Sequence, residues 1–106
     1  MPSATIHPDW RDVVRWSAPG PQPAILVDGP GLRVLVAGLE PGAAIPVHPG
    51  PPAIYHILEG SGWMTLDGER HEVSAGMTVV VPAGSARGFD ARTRLAFLGV
   101  RLGEEG

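Results

Sequence analysis

Apolar residues fall in short runs along this chain, and glycine and proline interrupt the runs at close intervals. The stretches "AILVD" (24–28), "LRVLVAGL" (32–39), "AIYHILEG" (53–60), "GWMTLDG" (62–68), "ERHEVSA" (69–75), "MTVVVPA" (77–83) and "LAFLGVRL" (95–102) carry most of the β-branched and large apolar residues. Short runs of this kind bounded by turn residues predict strands, and a succession of them predicts an all-β sandwich or barrel. "LDGE" at 66–69 predicts a tight hairpin, because Asp67-Gly68 supplies the positive φ angles that such turns need. "EPGA" at 40–43 and "SAG" at 74–76 predict further turns.

One segment reads two ways. "DWRDVVRW", 9–16, spaces Trp10, Val13 and Val14 as one face of a helix with Asp9 as its cap, yet Val-Val-Arg-Trp reads equally well as a strand. In either case Trp10 and Trp16 are expected to anchor an N-terminal arm. "SAPGPQP", 17–23, reads as a stiff connector, and the terminal "GEEG" is expected to fray. The organisation expected is an arm over 1–23, a barrel over 24–102 and a flexible tail over 103–106.

Composition narrows the picture. A chain of 106 residues is expected to form one domain with one modest core. Its net charge is −3, and its eight cations are scattered rather than clustered, so no nucleic-acid footprint is expected. With no cysteine, disulfides and thiolate metal sites are ruled out. The N-terminus lacks a charged-then-apolar leader pattern, and the longest apolar run, near "GMTVVVPA", is too short to span a bilayer. The default expectation is a cytoplasmic protein with neither nucleic acid nor membrane as a partner. All the cations are arginine, and lysine and asparagine are absent. GC-rich codon usage and heat adaptation both account for that, and composition leaves the two open.

The order of signals between Gly42 and Ala91 resembles the cupin family. That family's first motif runs from a glycine through His-x-His and a glutamate to a second glycine. Gly42 and Gly60 stand at its ends, His48 stands at the first histidine, Gly50 takes the second, and Ala53 stands where the glutamate should be. "YHILEG" is similar to the family's strand ending. The second motif is matched by "GMTVVVPAGSARGFDA", with Gly76, Pro82 and Gly84 in register, Arg87 at the histidine position and Ala91 at the asparagine. The resemblance spans 32–100 and implies a single-domain jelly-roll β-barrel of cupin type. One fold hosts many chemistries, so it does not by itself imply an activity.

In metal-binding cupins the motif histidines and glutamate hold Fe, Mn, Ni or Zn, a donor set that leaves positions open for substrate. Of the four ligand positions this chain retains only His48. Gly50 and Ala53 offer no donor, and the Arg87 guanidinium has no lone pair and stays charged. The expectation is therefore no metal cofactor. The alternative is a divalent metal on a reduced His48/His56 set. Strand alternation opposes it: if Ala53 faces the barrel interior, Tyr55 and Ile57 do too, and Ile54, His56 and Leu58 face outward. A strand apolar on both faces, together with the family's habit, implies a homodimer.

An arginine aimed into a largely apolar pocket needs an anion. Arg87 is thus a candidate anchor for a small acidic or carbonyl-bearing ligand; its alternatives are pairing with Asp90 or Glu59, or pointing to solvent. Tyr55 and His48 are candidate lining residues, with Trp63 and Phe89 as candidate apolar walls and core packing as the other role open to Trp63. His48 is the candidate general acid or base, since metal-free members of the family include epimerases and isomerases. Three functions stay open: a metal-independent small-molecule-binding barrel, a metal-dependent dioxygenase or isomerase, and a non-catalytic dimeric regulatory module. The short chain favours the first and third, because it leaves little outside the barrel to close over a substrate.

Overall fold

The computed structural model describes residues 3–17 and 22–103. Most of the connector at 17–23 and the tail at 104–106 lie outside the described residues. Among the described residues ten strands form: β1 (Trp16–Ser17), β2 (Ala24–Asp28), β3 (Leu32–Leu39), β4 (Ala44–His48), β5 (Ala53–Glu59), β6 (Ser61–Leu66), β7 (Glu69–Ser74), β8 (Thr78–Val81), β9 (Arg87–Ala91) and β10 (Leu95–Leu102). They make two sheets. One is ordered β1-β3-β10-β5-β8 with β2 also paired to β3, and the other β4-β9-β6-β7. The fold is the all-β jelly-roll barrel that the pattern predicts.

The core lies between the sheets. Leu39, Ile57, Met64, Leu95 and Val81 are its most completely buried large apolar side chains, at 1% exposure or less. β3, β5, β6, β8, β9 and β10 each supply alternate residues to it. On β5, Ala53, Tyr55 and Ile57 are buried, whereas Ile54, His56 and Leu58 face outward, as alternation from Ala53 requires. The hairpin at Asp67-Gly68 also forms as predicted, with Asp67 at φ 49°.

Besides β1, in the segment that reads two ways, two strands fall outside the seven predicted runs, β4 and β9. Their sequences, "AIPVH" and "RGFDA", carry a proline, a glycine and charged residues that break the apolar pattern. Position explains why they form. β4 is an edge strand, where a proline costs no ladder bond. Its pairing with β9 also skips two residues between Ile45 and His48, a bulge that turns both of those side chains inward. The bulge crowds Gly88 opposite: a Cβ there would lie 2.8 Å from the Ile45 carbonyl oxygen and 2.9 Å from Val47. Only glycine fits.

The ambiguous segment becomes a single 3₁₀ turn, Trp10–Asp12, followed by β1. Asp9 caps the turn, its carboxylate accepting from the Arg11 backbone N–H at 3.0 Å. No longer helix forms because β1 pairs in parallel with β3 at Gly38 and Leu39, drawing the chain into the sheet. Val14 and Trp16 fill the space that a side chain at Gly38 would need. Trp16 also carries the Arg94 guanidinium over its ring at 3.8 Å, so it anchors the arm. Among the described residues, no helix is long and apolar enough to cross a membrane.

Candidate functional site

Strand register arranges the inward side chains in layers. At one end of the barrel His48 faces Arg87 across β4 and β9, and Arg101 lies between Ala53 of β5 and Arg33 of β3. One layer deeper, Ile45 faces Phe89, and Gly99 lies between Tyr55 and Leu35. Below that, Phe97 sits between Ile57 and Ala37. Between these layers is a cavity of about 210 Å³, lined by His48, Tyr55, Arg87, Phe89, Phe97 and Arg101 together with small and aliphatic residues. Four of the residues singled out from sequence, His48, Tyr55, Arg87 and Phe89, therefore meet at one cavity.

The aromatic residues pack on one another before they meet any ligand. Phe89 and Phe97 stack with ring centroids 4.3 Å apart, and Tyr55 sets its edge against both, at 5.3 and 5.7 Å. Phe97 and Arg101 were not singled out from sequence. Both follow from the same alternation, which runs inward through Phe97, Gly99 and Arg101 once β10 is known to pair with β5.

Arg87 behaves differently from every alternative raised for it. It is 1% exposed, so it does not point to solvent. It pairs with neither Asp90 nor Glu59; Asp90 instead approaches Arg70 at 3.8 Å. Its Nε donates to the Ser85 carbonyl at 3.1 Å, and its Nη2 donates to the carbonyls of Ser85 at 3.0 Å, Gly50 at 3.1 Å and, at the limit, Pro82 at 3.5 Å. Carbonyl dipoles thus solvate a buried cation. The guanidinium lies 3.4 Å from where a Cβ of Gly50 would stand, within ordinary packing contact of the β4–β5 loop. The result is a clamp joining the β4–β5 loop to the β8–β9 loop. Nη1 is buried and has no partner.

The same loop is held from the other side. Asp67 accepts hydrogen bonds from the Ser85 hydroxyl and, at 2.8 Å, from the Ala86 backbone N–H. The Ser85 bond first, then the Ala86 bond and the nearby Arg87 charge, hold the Asp67 carboxyl below the usual carboxylate range.

The histidines separate. The bulge on β4 aims His48 at the cavity. Its Nδ1 lies 3.0 Å from the Pro46 carbonyl, which only accepts, so Nδ1 carries the proton and Nε2 is left unengaged. His56 lies on the outer face of β5, with Nδ1 at 2.7 Å from the Thr78 hydroxyl. The two do not share a site, because odd and even positions of β5 face opposite ways. The His48/His56 pairing is thereby corrected. Trp63 is corrected as well. Its neighbour Met64 is fully buried, so Trp63 lies on the outer face of β6, where the Arg70 guanidinium sits 4.6 Å from its ring. It neither walls the cavity nor fills the core.

The ligand positions of a metal-binding barrel do not fit a metal here. Gly50 and Ala53 have no donor, and Arg87 puts a cation where a ligand would stand, held there by carbonyls. Among the described residues, no three His, Asp or Glu side chains come together in a way that would hold a metal ion.

Comparison with known proteins places this geometry. The profile of the cupin domain family matches residues 35–100. A dimethylsulfoniopropionate lyase, DddW, from Ruegeria pomeroyi is 31% identical over 80 residues, which is 74% of this chain and 47% of that protein. This chain thus spans less than half the length of that curated relative. Among solved structures, a conserved protein of unknown function from Streptococcus pyogenes superposes with a TM-score of 0.84 at 28% identity, covering 100% of this chain and 93% of the other. An uncharacterised double-stranded β-helix protein from Klebsiella pneumoniae superposes with a TM-score of 0.86 at 18% identity, covering 97% and 93%.

Proposed function

This chain belongs to the cupin family, and from that premise we propose that it is a small-molecule-binding barrel whose cavity takes a small acidic or carbonyl-bearing ligand without a resident metal. The observation that carries the reading is the charge of the cavity wall. Among the described residues its ionisable side chains are Arg87, Arg101, His48 and Tyr55, and no carboxylate lines it. The remaining wall is apolar and aromatic. A site of that make-up favours an anionic head on an apolar body, because charge–charge attraction strengthens where water is excluded. His48, with Nε2 unengaged at the cavity wall, is the group through which a proton would pass to or from a bound carbonyl compound. The metal-free part of the reading rests on the donor set, in which Arg87 occupies a ligand position.

The lyase relative is named for an acid, dimethylsulfoniopropionate, and its propionate end falls in the class proposed here. The lyase reaction itself is not carried over.

A thermal-shift panel tests the reading. Small carboxylic acids at concentrations well above their Kd should raise the melting temperature, by about 4–8 °C for each kcal/mol of added folding stability, and the matching primary amides should not. Equal shifts from acids and amides, or none from either, would refute it. Elemental analysis of untagged protein tests the metal-free part, which a stoichiometric transition metal would overturn.

A further inference from the structure

We propose that Arg101, not Arg87, takes the carboxylate of the ligand, and that the ligand is a monocarboxylate whose apolar body is about the size of a benzene ring. The inference rests on the reading of the cavity as an acid-binding site and identifies the residue and the size class.

The Arg87 guanidinium is committed to main-chain carbonyls through Nε and Nη2, and its remaining nitrogen, Nη1, is sealed from solvent. It contributes positive potential, but no N–H to which a ligand has access. Arg101 lines the cavity and is only partly buried, and among the described residues it meets no carboxylate within ion-pair distance.

In the β3–β10 pairing Arg101 is directly opposite Arg33, so both side chains emerge on the inward face at the barrel mouth. Like charges directly opposite one another destabilise a sheet. Asp28 relieves this weakly, since its carboxylate approaches Arg33 Nε only to 4.0 Å, and that Nε is buried without a hydrogen bond. An anion bound at Arg101 would relieve the repulsion that the apo barrel tolerates.

An apolar cavity of about 150 Å³ accommodates benzene. The cavity here, about 210 Å³, takes a ring of that size with room for a carboxylate. Tyr55, Phe89 and Phe97 present ring edges and faces below the mouth, the surface on which a flat apolar body packs. The carboxylate would then sit at the mouth on Arg101 and the ring below it.

The test uses benzoate and benzamide as probes, with calorimetric titration and melting curves on the wild type, Arg101→Gln, Arg101→Lys and Arg87→Gln. Benzoate should bind the wild type, and benzamide should bind far more weakly. Arg101→Gln should lose at least about tenfold in benzoate affinity, the weight of one hydrogen bond to a charged group. Its ligand-free melting temperature should equal or exceed that of the wild type, because a repulsive pair is removed. A merely structural arginine would not behave so. Arg101→Lys should recover part of the affinity and guards against a fold defect in the first variant. Wild-type affinity for benzoate in Arg101→Gln would overturn the inference while leaving the acid-binding reading intact. Preference for acetate over benzoate would overturn the size class. Failure of every acid in the panel to bind the wild type would overturn both readings together.

Discussion

The two ends of the barrel are built from the same alternation and put it to opposite uses. At the closed end, Leu39, Leu95, Ile57 and Met64 are wholly buried, and the β5–β6 turn at Gly60 lies against the Arg94 backbone. At the open end, His48, Arg87 and Arg101 line a cavity, and Arg33 lies opposite Arg101 on the neighbouring strand. The closed end stabilises by excluding water from apolar surface. The open end keeps charges near a low-dielectric cavity, where each needs a partner. Arg87 has found its partners in carbonyls; among the described residues Arg101 meets no carboxylate within ion-pair distance, and Arg33 meets Asp28 only at 4.0 Å. Burial does not separate these two cations by place, since both line the cavity; what differs is that the more buried one, Arg87, is bonded to main-chain carbonyls.

The largest effect should come from the closed end. Gly60 has φ 86°, and a Cβ there would collide with the Arg94 carbonyl oxygen, which belongs to backbone that cannot step aside. Gly60→Ala should cost more than about 3 kcal/mol and leave little folded protein, as read by chemical denaturation. A cooperative transition close to that of the wild type would show the closed end to be softer than its packing implies.

Breaking the strut at the open end should cost less. Arg87→Gln strips donors from the Gly50 and Ser85 carbonyls and should destabilise by about 1–3 kcal/mol. The measurement is again a denaturation midpoint. A variant as stable as the wild type would remove Arg87 from the structural role assigned to it and reopen its role as a ligand anchor.

The smallest effect concerns pH. The folded-state pKa of Asp67 lies below its unfolded value, chiefly through its hydrogen bond from Ser85. A depressed carboxylate contributes stability that is present above the unfolded pKa, about 3.9, and is lost as pH falls through the folded value. Melting temperatures from pH 6 down to about pH 2 should therefore fall more steeply for the wild type than for Asp67→Asn, which keeps the left-handed backbone accessible. Parallel curves would remove Asp67 from the loop's support.

Seven of the strands were legible because apolar runs between turn residues have few other ways to bury themselves. β4 and β9 were not, since Pro46, Gly88 and the charged residues at their ends erase the pattern; only an edge position and a bulge make those residues suitable. Within the site, Tyr55 and the outward turn of His56 followed from counting along one strand. The location of Trp63 needed β6 to be set against its neighbours. Arg101 is not legible as a site residue in the sequence, because the strand pairing that brings it to the same mouth as His48 and Arg87 joins segments far apart in the chain.

The amino-acid order by itself determined the class of fold, the turns and the loss of metal donors at Gly50, Ala53 and Arg87, because these depend on local spacing and on what a side chain carries. Tertiary structure alone decided that two arginines meet at one cavity and that one of them, Arg87, supports the loops. That distinction rests on where main-chain carbonyls of distant loops converge, and on a cross-strand register that sets Arg101 against Arg33. Electrostatic roles are settled by such neighbours at a few ångströms, and sequence spacing does not encode them.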